Sequence, residues 1–283
     1  MNSNTLIADS GSTKTDWAIG SVIIKTQGIN PIHQDDDTIM AILHHELAPH
    51  IKTAVTGIIF YGSGVLPAQE GRMERLLRSA FPEAETVEAR SDMLGAARAL
   101  FGSHEGLACI LGTGANSCLY DGEKIIANTP PLGFILGDEG SGAVLGRLFL
   151  NALYKNRLYA GAREEFEQHT ALTLADVIER VYRQPMANRW LASLSEYIHK
   201  HLHQPTVSTL VVENFRAFIR HNIVPYHRPD LPLSAVGSIA WHYRDQLAVA
   251  AREEGYVMGN TLRSPIEGLA LVSPDETALA REW

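Results

Sequence analysis

Short apolar runs, separated by loops of small and hydroxylated residues, mark the start of the chain. Residues 5–8 predict a buried strand, and residues 15–20 and 22–27 predict two more, with Gly20–Ser21 as the turn between them. The loop at 9–14 therefore leads from one strand into another. Walker and Rossmann loops open a helix whose N-terminus faces the phosphate, so this context excludes both.

Helical periodicity follows this opening. Apolar residues at three- and four-residue intervals predict helices over 35–50, 67–81 and 91–102, and an apolar run over 56–64 predicts a strand. Aspartates lie near the positive end of the first helix, and Ser91 is placed to cap the third.

The opening plan then recurs. A strand over 107–111 is followed by a small-residue loop over 112–117 and a hairpin around Asp121–Gly122. Gly112 lies 103 positions after Asp9, and Gly114 lies 103 positions after Gly11. We interpret the recurrence as two domains with a common core.

The rest of the chain is mainly helical before it returns to strand and helix. The pattern predicts helices through 141–227, a strand over 231–237, a helix over 238–253, and a further helix after "SPIEGLALV" at 264–272. No linker separates two tethered domains, so a cleft between halves built from interrupted chain is the favoured organisation.

Composition narrows the class of protein. The 283 residues carry a formal net charge of −8, which argues against a sequence-independent nucleic-acid binder. Only two cysteines occur, Cys109 and Cys118, so no disulfide framework is expected. No apolar run approaches the ~20 residues that span a bilayer, and the N-terminus lacks a secretory pattern. We expect a cytoplasmic protein.

The first loop has the chemistry of a phosphate site. Its backbone N–H groups can face an anion, while Thr13 and Lys14 add a hydroxyl and a cation. Asp9, at a strand end, could hold a hydrated Mg²⁺, which takes few carboxylates and keeps several waters. The alternative is a hairpin with a solvated lysine.

Two further glycine loops carry related chemistry. Gly112–Thr113–Gly114 could hold a polyphosphate together with the first loop, although the same residues also form tight turns. Gly237–Ser238 ends a strand and opens a helix, which leaves room for a flat ring against backbone. An ordinary strand-to-helix connection is the alternative.

Three carboxylates precede or begin predicted helices. Asp138 and Glu139, between glycines, could accept hydrogen bonds from sugar hydroxyls. Asp92 could act as a general base for an alcohol, kept ionised by the helix dipole. Helix capping is the alternative for all three.

These motifs occur in one order along the chain: "DSGSTKTDW", "GIN" at 28–30, "SD" at 91–92, "GTGANS", "LGDEGSGAVLGR", "AVGSIAWHY" and "SPIEGLAL". Together they resemble the BadF/BadG-type ATPases, and within them the N-acetylglucosamine kinases, of the actin–hexokinase–chaperone superfamily. The combination of "LGDEGSG" with both glycine loops is specific to this resemblance, whereas any one of the motifs alone is not.

The resemblance implies an α/β fold of two actin-like, ribonuclease H-like domains with ATP in a cleft between them and a helical insertion in the second. The implied domains are residues 1–104 plus 266–283, and residues 105–265. The implied activity is an ATP-dependent kinase that phosphorylates an amino sugar, N-acetylglucosamine at its primary hydroxyl. A homodimer is left open, with no nucleic-acid or membrane partner.

The resemblance also assigns roles to individual residues. Asp92 is the catalytic base, and Asp9 faces Mg²⁺ through water. Nucleotide contacts fall on Asp9, Gly11, Ser12, Thr13, Lys14, Thr113, Gly114, Gly237 and Ser238. Sugar contacts fall on Asn30, Asn116, Asp138 and Glu139.

One departure and three rival functions remain. Members of the family often have three glycines where this chain has Ser10–Gly11–Ser12. The rivals are a kinase of another sugar such as glucosamine or N-acetylmuramic acid, a non-catalytic sugar sensor, and a dehydratase activator with an iron–sulfur cluster. Cys109 and Cys118 do not resemble the cysteine pattern of the last.

Overall fold

The computed structural model describes residues 4–11 and 13–270. The chain divides into two compact units, each with its own five-stranded sheet and hydrophobic core. Within the described chain, the first unit comprises residues 4–105, 120–125 and 264–270, and the second comprises residues 106–119 and 126–263. The helix predicted after residue 272 lies outside the described residues, and the predicted domain boundaries stay predictions.

The first unit holds a mixed sheet of strand order β3-β2-β1-β4-β5. Its strands are β1 (Thr5–Ser10), β2 (Lys14–Ile19), β3 (Val22–Gln27), β4 (Gly57–Gly62) and β5 (Thr86–Ser91). Neighbours β1, β2 and β3 pair antiparallel, whereas β4 runs parallel to both β1 and β5. The predicted strands over 5–8, 15–20, 22–27 and 56–64 are therefore confirmed, and β5 was not predicted.

The alternation of side chains along β1 assigns the two faces of this sheet. Leu6 and Ala8 are fully buried in the core with Trp17 of β2 and Phe60 of β4. Asp9, one position further, points to the opposite face because successive strand residues alternate. This alternation separates the apolar core from the polar chemistry of the strand end.

Helices cover both faces of the first sheet. Their bounds are α1 (Asp36–Ala41, continued by a π-turn to Leu47 and a 3-10 turn to His50), α2 (Pro67–Ala80), α3 (Asp92–Phe101) and α13 (Pro265–Leu269). The first two supply apolar side chains to the core, and α13 packs on α3 and β1. Asp35 caps α1 by accepting the Thr38 N–H. The positions of α1, α2 and α3 confirm the three helices predicted for this region.

The second unit repeats the plan of the first. Its sheet has the order β10-β9-β6-β7-β8. From the opposite edge this order is β8-β7-β6-β9-β10, in which each strand takes the place of its counterpart in β3-β2-β1-β4-β5 of the first sheet. The strands are β6 (Gly106–Leu111), β7 (Ala115–Tyr120), β8 (Ile125–Ala127), β9 (Leu233–Val236) and β10 (Met258–Leu262). Strand β9 runs parallel to β6 and to β10. The inferred common core is therefore confirmed.

The spacing of the repeat needs correction. Strands β6 and β7 begin 101 residues after β1 and β2, at Gly106 against Thr5 and at Ala115 against Lys14. The predicted offset of 103 compares Asp9, a strand residue, with Gly112, a loop residue. The second loop is also shorter than predicted, at 112–114, because β7 begins at Ala115.

Helices fill the chain between β8 and β9 and again after β9. They are α4 (Gly133–Leu136), α5 (Gly142–Tyr154), α6 (Ala162–Thr170), α7 (Leu174–Tyr182), α8 (Ala187–Ser193), α9 (Ser195–Lys200), α10 (Pro205–Phe218), α11 (Ser238–His242) and α12 (Arg244–Glu253). The predicted helical stretch over 141–227 is confirmed. The helix predicted over 238–253 breaks at Tyr243, whose buried hydroxyl donates to the Ser195 carbonyl.

No helix within residues 4–11 and 13–270 combines the length and the apolar character needed to cross a bilayer.

Candidate active site

Asp9 lies near the end of β1, on the face opposite the core. The Ser264 hydroxyl donates to Asp9 Oδ2 at 3.2 Å. Burial raises the pKa of Asp9 to about 7; the Ser264 hydrogen bond opposes this shift, the carboxylates of Asp16 and Asp92 add to it, and Lys14 opposes it. The ionised form of Asp9 is therefore short of compensating charge, and a bound cation would stabilise it.

The turn after β1 is open to solvent. Gly11 N–H donates to the Lys14 carbonyl at 3.0 Å, which links the end of β1 to the start of β2. Gly11, Thr13 and Lys14 are exposed, and a side chain on Gly11 would meet only the Lys14 carbonyl at 3.8 Å. Ser12 lies outside the described residues. The turn can thus be approached closely by an anion.

Ser10, which replaces a glycine of the family pattern, has a structural role. Its buried hydroxyl lies 2.6 Å from Thr15 Oγ1 and exchanges hydrogen bonds with the backbone of Ile29, at 3.0 Å to the carbonyl and 3.1 Å from the N–H. Since Ser10 neighbours Asp9 on a strand, its side chain points to the other face. The departure at Ser10 therefore does not obstruct the Asp9 face.

Lys14 forms an ion pair with Asp16, a residue that the sequence analysis missed. The Asp16 side chain is 4% exposed and that of Lys14 is 59% exposed. Asp16 pairs with Asp9 across β1 and β2. The antiparallel register of β1 with β2 would have revealed this pair of carboxylates, because it places Asp9 and Asp16 opposite each other.

Asp92 begins α3 but does not cap it. The cap is Ser91, whose Oγ accepts the Leu94 N–H at 3.3 Å, while Asp92 Oδ1 accepts the Met93 N–H at 2.8 Å. Burial raises the pKa of Asp92, and the backbone hydrogen bonds offset only part of this effect. Desolvation thus opposes the help that the helix dipole was expected to give in keeping Asp92 ionised.

Asn30, a predicted sugar contact, is 8% exposed and held locally. Its Oδ1 accepts the Ile32 N–H at 3.0 Å. Gly64, which follows β4 with a φ of +81°, packs so closely that a Cβ there would lie 2.3 Å from Asn30 Oδ1. This contact and the positive φ explain why position 64 requires a glycine. The role of Asn30 in sugar binding stays a prediction.

In the second unit, the loop after β6 docks on the first turn of α5. The carbonyls of Gly112 and Thr113 accept the N–H groups of Gly142 and Ala143, at 2.8 and 3.2 Å. Ser141 caps the helix by accepting the N–H three residues on. The loop is therefore held in place by the helix, with Thr113 exposed.

Asp138 lies against this loop. Its carboxylate accepts the backbone N–H groups of Ala115 and Gly133, and burial raises its pKa. A Cβ on Gly114 would lie 3.1 Å from Asp138 Oδ2. Because Ser141 is the cap of α5, the capping alternative for Asp138 is wrong.

The other predicted sugar contacts are also held by neighbours. Glu139 lies 3.0 Å from His221 Nδ1 and accepts from Asn222 at 3.5 Å. Burial alone would raise the pKa of Glu139, but these hydrogen bonds lower it overall. Asn116 lies on β7, and its Oδ1 accepts the Asn128 amide at 2.9 Å. The neighbours His221, Asn222 and Asn128 were not predicted.

Gly237 is required by a close backbone approach. It has a φ of +117°, and a Cβ there would lie 2.3 Å from the Leu111 carbonyl. Its N–H donates to the Leu262 carbonyl at 3.1 Å, and exposed Ser238 then opens α11. The structure thus brings Gly237 next to the end of β6, from which the loop of Thr113 and Gly114 departs.

Each unit therefore assembles its own set of groups. In the first, Lys14 and Asp92 lie within electrostatic reach of Asp9. The second gathers Thr113 and Gly114 with Asp138, and Gly237 at the end of β6. Among the described residues, no group of three or more His, Cys, Asp or Glu side chains is placed to hold a metal ion.

Comparison with solved structures decides the family. The putative N-acetylglucosamine kinase from Porphyromonas gingivalis is 48% identical, with a TM-score of 0.91 over 95% of this chain and 98% of that one. This chain belongs to the same family of sugar kinases. The predicted α/β fold and the class of ATP-dependent sugar kinase are confirmed.

More distant structures share the fold of this sugar-kinase family. The putative N-acetylglucosamine kinase from Chromobacterium violaceum is 16% identical, with a TM-score of 0.68 over 95% of this chain and 98% of that one. The ROK family glucokinase from Streptomyces griseus, solved with glucose and AMPPNP, is 16% identical, with a TM-score of 0.54 over 99% of each chain. No protein-family model and no curated protein matches the chain, so the BadF/BadG assignment stays a prediction.

The raised pKa of Asp9 predicts a pH-dependent stability. Between about pH 4 and pH 7 the folded protein binds this proton more tightly than the unfolded chain, so rising pH lowers the free energy of unfolding. Asp9→Asn cannot ionise and should be more stable than wild type above pH 7, by up to about 4 kcal/mol. Urea unfolding from pH 4 to pH 8 measures this, and the difference should shrink toward zero near pH 4.

Asp37→Asn is the matched control, since Asp37 is an exposed carboxylate of the same unit. Its free energy of unfolding should follow that of wild type at every pH. A stability gain for Asp9→Asn that is the same at pH 4 and pH 8 would contradict the assigned cause.

Proposed function

We propose that the protein transfers the γ-phosphoryl group of ATP, with Mg²⁺, to the primary hydroxyl of N-acetylglucosamine. The observation that carries the proposal is the placement of Asp92. Its carboxylate begins a helix that another residue caps, and it lies within electrostatic reach of Asp9 in the same unit. A carboxyl that the fold does not need as a cap is available to act as a base.

Two exposed loops support the phosphate assignment. Gly11, Thr13 and Lys14 offer backbone N–H groups, a hydroxyl and a cation on the first unit. Thr113 and Gly114 offer a hydroxyl and backbone on the second. The Gly112 and Thr113 carbonyls of that loop already accept N–H groups of α5, and the Gly114 carbonyl accepts the Gly112 N–H. Such groups suit the β- and γ-phosphates, while the backbone around Gly237 and Ser238 suits the adenosine.

Asp9 is the residue that would hold Mg²⁺. The Ser264 hydroxyl and the nearby Lys14 offset only part of the effect of burial and of the carboxylates beside Asp9, so the residues fit a divalent cation. When bound, the cation neutralises charge on the phosphates. Catalysis otherwise rests on positioning and charge stabilisation, as in phosphoryl transfer generally.

The chemical step assigned to Asp92 is proton removal. As the sugar hydroxyl oxygen forms its bond to the γ-phosphorus, the bond from that phosphorus to the β–γ bridging oxygen breaks and ADP leaves. The hydroxyl proton passes to Asp92. Burial raises the pKa of Asp92, which makes its carboxylate a stronger base.

The choice of amino sugar rests on Asn30, Asn116, Asp138 and Glu139, and on the similarity to the P. gingivalis protein. Each of these side chains is oriented by a neighbour, as a selective site requires. Glucosamine and N-acetylmuramic acid are the competing substrates, since one contact can change the preference. Both cysteines are buried and free, which does not favour a dehydratase activator.

The activity is tested directly with a panel of sugars. Purified protein with ATP and Mg²⁺ should release ADP with N-acetylglucosamine, and more slowly with glucosamine, N-acetylmuramic acid and glucose. Mass spectrometry should show one added phosphoryl group on the sugar. ADP release without any sugar phosphate would contradict the kinase assignment, and a faster reaction with another sugar would correct only the substrate.

The role of Asp92 is tested by a pair of neighbouring variants. Asp92→Asn should slow phosphoryl transfer by roughly 10²–10⁴-fold, the contribution of a positioned general base. Ser91→Ala removes the cap and should cost about 1 kcal/mol of stability while it leaves the base in place. Single-turnover rates and urea unfolding separate the two effects.

Each variant controls for the other. Turnover of Asp92→Asn equal to wild type, measured where the chemical step limits the rate, would remove Asp92 from the mechanism. The nucleotide assignment would stand, because it rests on Asp9 and the two glycine loops.

A further inference from the structure

The β1–β2 hairpin places two carboxylates face to face. Asp9 and Asp16 are directly paired in the antiparallel register. Side chains of directly opposed residues share one face of the sheet, with Cβ atoms about 4.5–5.5 Å apart. Asp16 is 3% exposed, and Lys14, two positions before it, lies on the same face.

One oxygen of Asp16 is unused. Lys14 pairs with Oδ2, whereas the buried Oδ1 has no hydrogen-bond partner among the described residues. A buried polar atom without a partner costs stability, and the cost is larger for an ionised group. This oxygen lies on the Asp9 face, so it points to a ligand that the protein binds there.

The second unit shows that the hairpin does not need these charges. At the offset of 101, Ile110, Ala115 and Ser117 take the places of Asp9, Lys14 and Asp16. Ser117 is fully buried, and its hydroxyl lies 2.8 Å from the Tyr226 hydroxyl. A neutral, satisfied group therefore fills the position of Asp16 in the same architecture. Folding alone does not explain a buried carboxylate in the first copy.

The chemistry that fits is a hard divalent cation. Mg²⁺ is held by one or two carboxylates together with phosphate oxygens and water. Asp9 and Asp16 supply two carboxylates from paired positions of one hairpin. The Lys14 side chain is mostly exposed and can leave Asp16 for a phosphate.

We propose that Asp16 is a second carboxylate for the divalent cation of the nucleotide, with Oδ1 directed to the cation and its water shell. Lys14 is the counter-ion of Asp16 in the absence of the cation and is released to the phosphates when the cation binds. The inference rests on the proposed function, because it assigns a further residue to the same nucleotide site.

The test is the binding of Mn²⁺, a paramagnetic substitute for Mg²⁺, to the full chain with AMPPNP, followed by electron paramagnetic resonance. Asp16→Asn keeps the size of the side chain and an oxygen for Lys14. It should weaken Mn²⁺ binding about 10–100-fold, as removal of a metal-shell group does. AMPPNP binding in EDTA, measured by calorimetry, should change less than about threefold, since the cation is then absent. Asp37→Asn, an equal charge change on the surface, should leave both values unchanged.

A second variant keeps the test valid if Asp16→Asn does not fold. Lys14→Met frees Asp16 Oδ2, so Mn²⁺ binding to the nucleotide-free chain should tighten by at least about threefold through the loss of a competing cation. Unchanged or weaker Mn²⁺ binding by Lys14→Met would overturn the proposal that the cation displaces Lys14 from Asp16. Where both variants fold, adding Asp16→Asn to Lys14→Met should abolish the gain.

The remaining outcomes are distinct. If wild type binds Mn²⁺ with AMPPNP and Asp16→Asn binds it equally well, this inference fails and the proposed function stands. If Asp16→Asn loses AMPPNP in EDTA as strongly as it loses Mn²⁺, Asp16 acts only through Lys14 and the inference also fails. If wild type binds no Mn²⁺ with AMPPNP, the proposed function and the inference fail together.

Discussion

The register between β1 and β2 is the constraint on which the first unit depends. It buries Trp17 against Phe60 and joins the hydroxyls of Ser10 and Thr15 on the core side, with Asp9 on the other side. A slip of one residue would exchange the two faces, because strand side chains alternate with a period of two. Packing of the core thus also determines the face on which the charged groups of the hairpin lie.

The two units use one architecture for different purposes. Both have the same strand order and a three-residue loop after the first strand, at 11–13 and 112–114. The first copy carries ionisable groups along its hairpin. The second carries neutral side chains there and docks its loop on a helix start. The two scaffolds are thus similar in strand order, and they differ in the side chains along the hairpin.

Local patterns in the sequence predicted most elements but not those that depend on neighbours. Strand β5 was not predicted because Glu88 and Arg90 give it a polar face. In the fold, Arg90 pairs with Glu74 of α2 at 3.1 Å. Strand β10 contains Gly259 and Asn260, which favour strands poorly, and it forms by pairing with β9. Asp9, Asp92 and the glycine loops were recognisable from motif and context. Asp16 and Ser264 were not, since each acts through a contact that only register or long-range folding creates.

Residues that follow the whole second unit in the chain return to the first unit and pack on it. Ser264 bonds Asp9, and α13 packs on α3 so closely that a Cβ on Gly268 would lie 2.2 Å from the Ala99 carbonyl. A ribosome adding about 5–20 residues per second needs roughly ten to thirty seconds to travel from the end of α3 to Ser264. Throughout that interval the nascent first sheet lacks its last helix, with the Asp9 face uncovered at that place. The order of synthesis therefore makes the second unit the first that can be completed, although its strands begin only after residue 105.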